Sequence, residues 1–173
     1  MFIYGLILMV ILVAFDQISK IVLLNVYGLG QIVEAWPGVF QLYGVYNTGA
    51  AFSMLNDHSW ILLVISILAT IGLTYLMKDF NFKRRPLYSI SLVLIYSGTI
   101  GNLIDRMFNH FHVFDFIDVT FMNFAIFNIA DSYLTIGVIL MAIYLIFFDH
   151  KDPVSLKWEK KKKEEPEDEQ QTN

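Results

Sequence analysis

Four stretches of the chain are apolar for long enough to cross a bilayer, which takes about 20 residues. Three carry no charge: 59–77, 87–104 and 132–148. The fourth, from residue 1 to about residue 26, is as apolar but contains Asp16 and Lys20. It lacks a basic leader and a clear small-residue cleavage site, so it reads as a retained span rather than a signal peptide. The pattern predicts an all-α integral membrane protein with four transmembrane helices. Between the first two spans lies a connection of about 30 residues, long enough to have structure of its own. Within it, 39–46 (VFQLYGVY) is rich in β-branched and aromatic residues, 31–34 supplies a partner, and Pro37-Gly38 is a turn signal. A small extracytoplasmic β-element is therefore expected within about 28–57. An apolar β-ribbon there would suit an extended peptide.

Composition agrees with a membrane setting. The 173 residues are 56% hydrophobic and 16% charged, against about 25% charged in soluble domains. A net charge of −4 argues against a nucleic-acid partner, which calls for a basic patch. With no cysteine, disulfides, thiolate nucleophiles and Cys-ligated metals are excluded.

Charge placement then divides the chain. Residues 149–173 hold 8 of the 16 acidic and 6 of the 12 basic residues. Residues 1–150 read as the membrane domain and 151–173 as a charged, solvated, disordered cytoplasmic tail. Its lysines can touch anionic lipid. Lys78, Lys83, Arg84 and Arg85 sit between spans two and three, while the other two connections, 27–58 and 107–127, carry no Lys or Arg. Positive-inside logic places that basic connection and both termini in the cytoplasm.

Apart from the loop acids Glu34, Asp57 and Asp79, the remaining charges lie where a bilayer penalises them, by about 2.5–3.5 kcal/mol each on insertion scales. Asp16 and Lys20 share a face of the first helix at i, i+4. Asn102, Asp105 and Arg106 share one of the third. Asn128 and Asp131 open the fourth, and Asp115 and Asp118 lie in the connection before it. With the topology above, all fall near the outer ends of their helices. One reading is a set of structural ion pairs, such as Asp16–Lys20 and Asp105–Arg106. That reading leaves Asp115 and Asp131 without evident cations. The other is a site in which two close carboxylates share one proton, one acting as base and the other as acid. His110 and His112 lack a metal-binding motif, and Ser19 and Lys20 are adjacent on a helix and do not face each other. No metal or cofactor is expected.

Five blocks in order carry a resemblance: DQISK at 16–20, NTGAAFS at 47–53, GNLIDR at 101–106, VFDF at 113–116 and FNIAD at 127–131. Over about residues 10–145 the chain resembles the bacterial lipoprotein signal peptidases (signal peptidase II). The resemblance implies an intramembrane aspartyl endopeptidase of the bacterial cytoplasmic membrane. It would cut diacylglyceryl-modified prolipoproteins just before the lipidated cysteine and be blocked by cyclic peptides such as globomycin; a monomer is expected. It puts the catalytic pair on Asp115 and Asp131. It assigns supporting and substrate-binding roles to Asp16, Lys20, Asn47, Gly49, Asn102, Asp105, Arg106 and Asn128. The chain departs from the family pattern at Tyr46, where Arg is common, at Ala125 in place of Pro, and at Ser97 in place of Gly.

Overall fold

The computed structural model describes residues 2–48 and 59–149. Gly49 to Ser53 of the NTGAAFS block and the 151–173 tail lie outside the described residues. Four helices run alternately up and down: α1 (Phe2–Tyr27), α2 (Ser59–Leu76), α3 (Pro86–Phe108) and α4 (Ile129–Phe147). Each is long and apolar enough to span a membrane. At 1.5 Å per residue, the 26 residues of α1 reach about 39 Å, well over the bilayer's apolar thickness.

The bundle is built around α3, on which α1, α2 and α4 all pack. This helix is largely buried, while the other three turn most of their surface outward as Ile, Leu, Val and Phe. Small residues make the centre possible. Ser89, Ser91 and Ser97 of α3 are fully buried, and a Cβ on Gly137 of α4 would lie 2.7 Å from Ile95 of α3. Between membrane helices such close approach does the work that hydrophobic burial does in water. Pro86 begins α3 at a position where its missing N–H costs nothing. In the half of the bundle next to Pro86, Met9, Met77, Tyr88, Leu92, Val93 and Tyr144 form an apolar core.

At the opposite end lies a three-stranded antiparallel sheet, ordered β1 (Ile32–Trp36), β2 (Phe40–Asn47) and β3 (Val113–Val119). The hairpin between β1 and β2 turns at Pro37-Gly38, with Gly38 at φ +72°. The third strand was not foreseen. Connection 3–4 contributes it, and the β-element therefore joins both loops at this end of the bundle. The β2–β3 register shifts between Leu42 and Val45. Gly44 sits in that irregularity, and a Cβ there would fall 2.8 Å from the Gly28 carbonyl. The chain leading into α4 is held to β3 as well, since Ile117 and Phe127 exchange backbone hydrogen bonds of 2.8 and 3.1 Å. At the far edge of the described β2 segment, the Ser59 hydroxyl donates to the Thr48 carbonyl and ties α2 to the sheet.

Candidate active site

The Ile117–Phe127 link sets Asn128 and Asp131 beside Asp115. Asn128 is the N-cap of α4. Its side chain accepts from the Asp131 N–H at 3.0 Å, and the Asp131 carboxylate accepts from the Asn128 N–H at 3.1 Å. This reciprocal box satisfies two N–H groups that a helix start leaves open. The Asn128 amide also donates to Asp115 Oδ1 at 2.6 Å. One residue therefore holds both carboxylates. Asn47, on the neighbouring strand and the same face as Asp115, donates to Asp115 Oδ2 at 2.8 Å. Asn102 donates to Asp131 Oδ1 at 2.7 Å. Each of the four carboxylate oxygens thus has one N–H donor and a lone pair to spare.

Behind this pair lies a charged cluster. Lys20 is 4% exposed and uses its three donors on Asp16 Oδ2 at 2.9 Å, Asp105 Oδ2 at 2.9 Å and Asn102 Oδ1 at 3.2 Å. Asp16 accepts from the Ala130 N–H of α4 at 2.9 Å. Asp105 pairs with Lys20 rather than with Arg106, as had been expected. Adjacent helical residues point apart, and Lys20 arrives from α1 on the Asp105 face. Arg106 forms no ion pair among the described residues; it donates to the Asn102 carbonyl at 3.3 Å and to Ser66 Oγ at 3.4 Å.

Sequence reasoning overlooked Gln17. Its amide reaches Asp16 Oδ2, Asp105 Oδ1 and the Gly101 carbonyl at 3.0, 3.2 and 3.1 Å. Gln17 extends the polar stripe of Asp16 and Lys20, a spacing visible in the sequence. Asp118 takes no part in the site, being paired across the sheet with Gln41 at 2.7 Å. Tyr46, in place of the family arginine, packs against Phe114 and His112. Among the described residues no three His, Asp or Glu side chains group as metal ligands.

Asp115, Asp131, Asn47 and Arg106 line a cavity of about 610 Å³ whose other walls include Leu62, Phe124, Ile126 and Ile136. The cavity has a polar floor and apolar sides. Asp115 is 1% exposed; burial first, and then the nearby Asp131 charge, push its pKa up to about 7. Two carboxylates in this setting can hold one proton between them and can polarise a water or a carbonyl.

The comparisons with known proteins point one way. The model of the family described as signal peptidase (SPase) II matches residues 8–147. The lipoprotein signal peptidase of Streptococcus pyogenes serotype M2 is 43% identical over 137 residues, covering 79% of this chain and 89% of that one. That of Streptococcus agalactiae serotype Ia is 44% identical over 140 residues, covering 80% and 89%. Two solved bacterial membrane enzymes share the fold. One has a TM-score of 0.75 at 31% identity, covering 88% of this chain and 93% of its own. The other has a TM-score of 0.72 at 33% identity, covering 84% and 94%.

Proposed function

The chain belongs to the signal peptidase II family, and from that premise we propose that it is an aspartic endopeptidase acting on diacylglyceryl-modified prolipoproteins, with Asp115 and Asp131 as its catalytic pair. The observation that carries this reading is the Asn128 bridge, which holds the buried Asp115 and the half-buried Asp131 carboxylates side by side on the wall of a cavity with apolar sides. The peptide enters over the sheet, with the acyl chains against Leu62, Phe124 and Ile136. The scissile bond is the one N-terminal to the lipidated cysteine.

In the resting pair one carboxyl is protonated. The charged carboxylate takes a proton from a water as its oxygen bonds to the scissile carbonyl carbon. The protonated carboxyl then gives its proton to the leaving amine as the C–N bond breaks. The products are a carboxylic acid and an amine, the acid's proton passes to the amine to leave carboxylate and ammonium, and the pair ends with one proton again. Arg106 and the nearby amides supply donors for the tetrahedral oxygen. Asn47, Asn102 and Asn128 aim the carboxylates, while Asp16, Lys20 and Asp105 hold the helices that carry them; the family resemblance gives Gly49 a supporting role toward the substrate. No metal or cofactor is required.

The enzyme works as a monomer in the bacterial cytoplasmic membrane, with residues 1–150 as the peptidase domain. Both termini and the 151–173 tail are cytoplasmic, and the pair lies near the outer leaflet. The basic connection at the other end of the bundle supports this orientation.

The test uses purified full-length protein with diacylglyceryl-modified and unmodified precursors, with and without globomycin. Cleavage of the modified precursor alone, blocked by globomycin, is expected. Asp115→Asn and Asp131→Asn should each lower the rate by about 10²–10⁴-fold. A folded variant that cleaves at the normal rate would remove that residue from the mechanism.

A further inference from the structure

A second cavity, of about 390 Å³, opens at the other end of the bundle, where α1, the end of α2 and α3 diverge. Its walls are Phe2, Leu6 and Met9 of α1 and Met77 at the end of the α2 segment. Two hydroxyls also face it, and both are occupied. Thr74 donates to the Thr70 carbonyl at 2.8 Å, which leaves Tyr96 to donate to Thr74 at 3.2 Å. Water in the groove would find few free partners, so an apolar filler suits it better. The rim is cationic. Lys78 lines the cavity, with its ammonium 3.7 Å from the centre of the Tyr75 ring. It has no ion pair among the described residues. The neighbouring Asp79 is bonded to Arg85 at 3.3 Å. Residues 78–85 carry four cations against this one acid.

We propose that this groove binds one anionic phospholipid of the leaflet opposite the carboxylate pair. An acyl chain lies along Leu6 and Met9, between α1 and α2, and the headgroup phosphate rests on Lys78. The apolar walls select a lipid chain, and the unpaired ammonium at the rim selects negative charge, as basic pockets between membrane helices do. The inference depends on the bundle spanning a membrane and is independent of the peptidase reading.

Native mass spectrometry of the full chain in micelles, with equimolar phosphatidylglycerol and phosphatidylcholine of matched chains, tests it. The wild type should retain one phosphatidylglycerol with about a fivefold preference, the weight of one lysine near a headgroup. Lys78→Gln should bring the two lipids close to parity. Leu6→Trp, which fills the groove, should lower retention of both. Lys83→Gln, outside the groove, should keep most of the preference. Equal retention of both lipids by the wild type would overturn the proposal whatever the variants do. So would a preference that Lys83→Gln erases as fully as Lys78→Gln, or retention untouched by Leu6→Trp.

Discussion

The Asp16 carboxylate of α1 caps the N-terminus of α4 by accepting the Ala130 N–H at 2.9 Å, across 114 residues of sequence. Asp16 is fully buried and also holds Lys20 at 2.9 Å and Gln17 at 3.0 Å. It therefore fixes the helix start that carries Asp131. Removing one member of a buried ion cluster leaves the others uncompensated, at a cost of about 3 kcal/mol. Asp16→Ala should lower thermal stability in micelles by about that much, and activity with it. Asp16→Asn keeps an acceptor for Ala130 and should lose less. An unchanged melting curve for Asp16→Ala would show that the cap is not structural.

Gly101 makes that arrangement possible. A Cβ at this position would lie 2.6 Å from Asp16 Oδ2 and 3.1 Å from the Ala130 Cβ. The carboxylate cannot swing aside cheaply, because Lys20, Gln17 and Ala130 all hold it. Gly101→Ala should therefore cost about 1–3 kcal/mol, the range for overpacking. The α1–α3–α4 junction should loosen, and cleavage of a lipidated precursor should slow. Thermal unfolding and rate, measured side by side, check both effects.

The spans could be read directly because a bilayer demands length and apolarity, and few other segments supply both. Their ends on the side of the sheet could not. α3 runs on to Phe108 because Asn102 and Asp105 bond to Lys20 of another helix, and α4 starts at Ile129 because Asn128 caps it. Both depend on partners distant in sequence. β3 was hidden for the same reason. Its alternation, VFDFIDV, was visible, but the acids drew the reading toward a charge cluster, and the strand is completed by β2 some 70 residues earlier. The clustering of acids and amides at one depth was legible from helical spacing and topology. The choice of Asp115 and Asp131 from among them came from the family resemblance, and the Asn128 bridge between them only from coordinates.

Ser97 tests whether the α3 interior contains an unused polar group. The residue is fully buried, and its hydroxyl has no hydrogen-bond partner among the described residues. An unsatisfied buried hydroxyl costs about 1–3 kcal/mol. Ser97→Ala removes it while leaving the packing nearly unchanged, and should raise stability by about 1 kcal/mol with activity unaltered. Lower stability in Ser97→Ala would mean that the hydroxyl has a partner after all.

The raised pKa of Asp115 gives the last prediction. An exposed aspartate titrates near 3.8, and Asp115 in the folded chain near 7. Between those values the unfolded chain has released a proton that the folded chain still holds. Stability from this group is therefore full below about pH 4 and falls as pH rises through about 7, by a few kcal/mol in all. Activity should turn down over the same upper limb, because above it the pair loses the proton that the leaving amine needs. Melting temperature should fall from about pH 4 and level off above about pH 7, whereas the cleavage rate should fall with its midpoint near 7, and Asp115→Asn should flatten the stability curve. A rate that stays level to pH 9 while the wild type remains folded would mean that the reaction uses no proton held by this pair.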